Sequence, residues 1–106
     1  MNVLENIPYH DNKMGYRKIV DEKHLLVMQI ALKPGQSVPQ HHANSNVHIL
    51  LLRGKVTVNL DGKDNSIKEG DLLTVTYQTP MNIKNVGKDN ATLLVFKTPN
   101  PSEMQK

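Results

Sequence analysis

Three of the five histidines stand close together, as His41, His42 and His48. Imidazole titrates near neutrality and is a common metal ligand. The cluster therefore advertises two chemistries, proton transfer and transition-metal binding. A divalent transition metal needs three or four nitrogen, oxygen or thiolate donors. The chain has no cysteine, so the donors would have to be imidazoles and carboxylates. Strand alternation works against convergence. His41 shares a face with Ala43, His42 points to the opposite side, and His48 lies opposite Val47 and Ile49. Only a β-bulge would re-aim one of these rings toward the others. No Gly-x-Ser-x-Gly elbow, phosphate-cradling glycine loop or cysteine nucleophile is present. His10 and His24 have no recognisable partners, and Glu69 and Asp71 sit in a turn beside Lys68.

The elements that must position these residues are short strands. Tyr16 to Val20 reads as a strand, followed by Leu25 to Leu32. In the second, Leu26, Met28, Ile30 and Leu32 share one face, with Leu25, Val27, Gln29 and Ala31 on the other. Lys33-Pro34-Gly35 stops it in a type II turn. Val38 to His42 is extended, because Pro39 pushes Val38 out of the helical region. After a turn at 43–46, Val47 to Arg53 points Val47, Ile49 and Leu51 one way and His48, Leu50 and Leu52 the other. Lys55 to Leu60 and Lys63 to Ile67 flank Asp61-Gly62, a type I′ hairpin signal. Leu72 to Tyr77, Met81 to Val86 and Ala91 to Lys97 complete the strands. No segment has a helical period, so a sandwich or barrel is expected. The expected division is an arm over 1–15, a barrel over 16–98 and a mobile tail over 99–106.

Composition narrows the partners. Thirteen basic residues oppose ten acidic ones, for a net charge of +3. The lysines are scattered, and the four aromatics, Tyr9, Tyr16, Tyr77 and Phe96, avoid basic clusters. That pattern predicts no nucleic-acid partner. The apolar runs are too short to cross a membrane as a helix. Met1 to Asn6 lacks a basic end followed by an apolar run, so no signal peptide is expected. With no cysteine, a cytoplasmic location is the expectation.

The glycine spacing resembles the cupins, small jelly-roll barrels (double-stranded β-helices). Gly35 and His41 fit the first cupin motif with five residues between them, and Gly54 closes it. Gly70-Asp71 opens the second motif and Asn85 closes it, with a short intermotif stretch at 55–69. The resemblance covers residues 25–98. It implies an all-β jelly-roll barrel and a metal held by two histidines and a glutamate of motif one and a histidine of motif two. Those positions are His41, Ala43, Val47 and Met81 here, and Thr76 and Gln78 replace the motif-two proline and glycine. Alanine and valine carry no donor atom, and a thioether is a weak ligand for all but soft copper.

The reading that follows is a cupin-fold protein without a complete metal site, and no cofactor is assigned. Ala43, Val47, Met81 and Ile83 are expected to form an apolar pocket for a small molecule, with His41, Thr76 and Asn85 as its polar groups. The alternative is a metal-dependent enzyme of dioxygenase, isomerase or decarboxylase type, using an offset His41, His42 and His48 set for a divalent metal. A third is a protein-binding module presenting Leu50 and Leu52. The resemblance, with a strand apolar on both faces, also implies a homodimer.

Overall fold

Two antiparallel sheets face each other across a single core. The computed structural model describes residues 1–105. Nine strands follow in chain order: β1 (Gly15–Glu22), β2 (Leu25–Leu32), β3 (Ser37–His42), β4 (Asn46–Arg53), β5 (Lys55–Leu60), β6 (Lys63–Lys68), β7 (Leu72–Val75), β8 (Pro80–Lys84) and β9 (Ala91–Thr98). One sheet runs β1-β2-β9-β4-β7 and the other β3-β8-β5-β6. Successive strands often sit in different sheets, as jelly-roll winding requires. The expected all-β jelly-roll barrel is what the chain forms.

The register explains the inner face. Val47, Ile49 and Leu51 of β4 lie opposite Lys97, Val95 and Leu93 of β9. Met28, Ile30 and Leu32 of β2 lie opposite Val95, Leu93 and Ala91. Directly opposed residues put their side chains on one face, so this sheet sends a continuous apolar row inward. Val56 and Val58 of β5 and Met81 and Ile83 of β8 answer from the other sheet, all buried.

The turns obey the local chemistry. Gly35 has φ +84°, and the Gln36 amide donates to the Lys33 carbonyl, closing the turn after β2. Asp61 and Gly62 both have positive φ, the type I′ requirement. β7 ends at Val75 rather than running to Tyr77. Gln78 takes φ +71°, and the Thr79 amide donates to the Thr76 carbonyl in a turn that strand pairing cannot continue. β8 correspondingly starts at Pro80 and stops at Lys84.

Two segments lie outside the barrel strands. Residues 1–14 cross the outer face of β1 and β2. The buried Gln29 side chain donates to the Val3 carbonyl and to Thr92 Oγ1, and accepts from Arg17 Nε. Arg17 also donates to the carbonyls of Glu5 and Asn6, and Gln36 donates to that of His10. Gly15 is obligatory here, since a Cβ would fall 1.6 Å from the Pro8 carbonyl oxygen. The last segment departs from the mobile tail read from sequence. Pro101–Met104 forms one helical turn, α1, capped by Asn100. Asn100 is nearly buried and donates to Asp21 Oδ1 and the Glu22 carbonyl. Prolines on either side hid this turn, because it rests on a cap and on contacts with the β1–β2 hairpin rather than on helical periodicity.

Candidate functional site

A cavity of about 170 Å³ opens between the sheets at the end of the barrel where β3 meets β8. Its walls are the inward residues of five strands. Met28 and Ile30 come from β2, Val38 and His41 from β3, Val47 from β4, Met81 and Ile83 from β8, and Val95 and Lys97 from β9. Met14, at the end of the N-terminal arm, and Ala43 and Asn44, in the β3–β4 turn, finish the rim.

A bulge in β3 sets this arrangement. Val38 pairs with Ile83 and His41 pairs with Met81, so Pro39 and Gln40 together oppose the single residue Asn82. Without the extra residue, alternation would put Val38 and His41 on opposite faces. With it, both reach the cavity. His41 is exposed at the mouth, and its Nδ1 lies 3.0 Å from the Pro39 carbonyl oxygen. Ala43 is pinned to the β7–β8 turn, accepting from the Gln78 amide at 2.7 Å and donating to the Thr79 carbonyl at 2.9 Å.

Of the residues singled out from sequence, His41, Ala43, Val47, Met81 and Ile83 come together on this cavity. Thr76 and Asn85 do not. Thr76 is exposed and its hydroxyl meets that of Thr79 at 2.9 Å, tying the β7–β8 turn. Asn85 is buried at the opposite end of the barrel, where its amide donates to the Leu32 and Asp89 carbonyls and accepts from the Gly87 amide. Both of its N–H donors are committed to the end of β2 and to the following loop, at the far end of the barrel from the cavity.

The offset histidine set does not converge either. His42 pairs with Pro80 on the face opposite His41. His48 pairs with Thr74 and Phe96, while its neighbours Val47 and Ile49 are buried inward. Its ring therefore points out of the barrel. Bulging occurs in β3, upstream of His41, and leaves β4 unflipped at His48. Among the described residues no group of three or more His, Cys, Asp or Glu could hold a metal ion. Around the cavity the only strong ligand type is His41, beside Ala43, Val47 and Met81. This donor set does not fit a transition-metal ion.

Lys97 escaped the sequence reading. It follows Leu93 and Val95 at period two, so alternation alone places it inward. A cation at that position is the signal that was there to find. Burial pushes its ammonium below the ordinary lysine range. A wider depression of about 770 Å³ lies near Asn85, between Gly54-Lys55, Lys68-Glu69 and residues 86–89. None of its lining residues is buried, and its charges are solvated.

Sheet order, register and the cavity between the sheets define a small jelly-roll barrel of the cupin type. Residues 28–97 match the Cupin domain family, and the chain belongs to it. An uncharacterised protein of Methanocaldococcus jannaschii is 31% identical over 88 residues, covering 82% of this chain and 76% of that protein. A crystal structure of an RmlC-like cupin from the same organism superposes with a TM-score of 0.82 at 26% identity, covering 99% of this chain and all of the other. The TT1209 protein of Thermus thermophilus gives 0.86 at 22% identity, covering 93% and 95%. Among the described residues no helix is long and apolar enough to cross a membrane.

Proposed function

We propose that this cupin binds a small, largely apolar molecule in the cavity between its sheets. The observation that carries the reading is the cavity itself, apolar on most of its wall with His41, Asn44 and Lys97 as its few polar groups, the usual make-up of a small-ligand site. Its volume suits a compact body. A cavity of roughly 150 Å³ lined by aliphatic side chains takes up benzene.

The chain carries its own reporters. Met14, Met28 and Met81 line the cavity, whereas Met1 and Met104 lie elsewhere. Toluene titrated into the protein should shift the methyl resonances of the first three and leave the other two unmoved. Uniform shifts, or none, would sink the reading.

The outer face of β4 supports a homodimer as part of the same proposal. Leu50 is half-buried and pairs with Leu72, which is 63% exposed, and Leu52 extends the same side. Light scattering should give twice the chain mass for the wild type and a single chain for Leu50→Glu. A monomeric wild type would remove the dimer and leave the cavity reading intact.

A further inference from the structure

Resting on the cavity reading above, we infer that the ligand is an apolar monocarboxylic acid whose carboxylate pairs with Lys97. The backbone places this side chain. Lys97 lies opposite Leu26 on one side and Val47 on the other, and both of those are buried inward. Its stem therefore runs between two apolar neighbours into the cavity, a route lysine commonly takes. Its ammonium has no hydrogen bond or ion pair with any described residue. Lys18, Lys23 and Lys33 differ, each facing a carboxylate.

The rest of the wall selects the sign and the kind of partner. No aspartate or glutamate lines the cavity. The only other ionisable group there is His41, also a base, and Asn44 adds an amide. A partly buried cation without a counter-ion is held at a cost, and an anion that arrives from water relieves it. A phosphate dianion would bring two charges and demand more donors than this rim offers. A single carboxylate matches one ammonium, and the aliphatic wall of Met28, Ile30, Val47 and Ile83 takes the apolar remainder. The outcome is a site that reads one charge at the mouth and one apolar body behind it.

Benzoate and its neutral isostere benzamide test this directly by calorimetric titration in low-salt buffer free of other carboxylates and phosphate, with the methionine methyls as a second readout. Wild-type protein is expected to bind benzoate at least tenfold more tightly than benzamide. Lys97→Met should erase that preference by a loss of benzoate affinity, and Lys97→Gln provides the same comparison if the methionine variant does not fold. Equal binding of benzoate and benzamide, or benzoate binding untouched in Lys97→Met, would overturn the role of Lys97 and leave the cavity reading standing. Failure of toluene, benzamide and benzoate alike to reach the cavity methionines would overturn both.

Discussion

At one end of the barrel Asn85 is only 2% exposed, and its amide donates to two carbonyls and accepts from one backbone amide. At the other end Lys97 is half-buried on an apolar wall, and its ammonium bonds to no described residue. Both are polar side chains facing the interior of one barrel. The first has both its N–H donors spent, tying residues 85–89 to the end of β2, while its backbone holds the turn at 33–36. The second is left open. A polar side chain whose donors are spent inside the fold serves the architecture, whereas a half-buried ammonium with no protein partner is free to meet one that comes from outside.

The largest expected effect breaks the closed end. Asn85→Ala strands the Leu32 and Asp89 carbonyls and the Gly87 amide, and should cost about 3 kcal/mol in urea unfolding, since each unmet buried group costs roughly 1–3 kcal/mol. A loss under 1 kcal/mol would mean that water replaces the amide and that the contrast between the two ends is weaker than drawn. Next, Val47→Phe intrudes on the open end. It should abolish toluene shifts at Met28 and Met81, and overpacking should lower stability by about 1–3 kcal/mol. Retained shifts would place the toluene site elsewhere.

Lys97→Met gives a smaller effect with a defined sign. Burial lowers the pKa of Lys97 below its unfolded value of about 10.4. Between the two values the unfolded chain holds more protons, so this residue's contribution to stability rises with pH across that window. Its penalty is fully present at lower pH, where both states are charged. Lys97→Met should therefore gain most over the wild type near neutrality and least near pH 10. His41 is the other titratable group on this cavity. Urea titrations of both proteins at several pH values check this, and a gap that widens with pH would contradict it. Smallest of all, Thr76→Ala removes a hydroxyl from an exposed turn and should stay within about 0.5 kcal/mol with toluene binding unchanged.

The strands were readable because their signals are local. Alternation in Lys55 to Leu60 and the Asp61-Gly62 turn need nothing beyond their own neighbours. The cavity was half readable for the same reason, since Met81 and Ile83 alternate on β8 as Ala43 and His41 do before the turn. The β3 bulge was not legible ahead of His41, because Pro39 marks extended backbone but not a miscount against β8. Asn85 was misplaced because its partners, Leu32, Gly87 and Asp89, converge only through loop packing that no periodicity encodes. Lys97 is one of the scattered lysines in the composition, although its parity with Leu93 and Val95 points it inward.

The N-terminal arm is fastened in an unusual direction. Val3, Glu5, Asn6 and His10 are gripped by their carbonyl oxygens, and the donors belong to Arg17, Gln29 and Gln36 of the barrel. Every amino acid owns a carbonyl oxygen. At those four positions the barrel thus reads the course of the arm and not its spelling. The grip does not depend on what those side chains are, although Asn6, at φ +52°, keeps a residue type that tolerates left-handed backbone. A substitution at Gln29 would remove the Val3 contact together with the acceptor of Arg17 Nε.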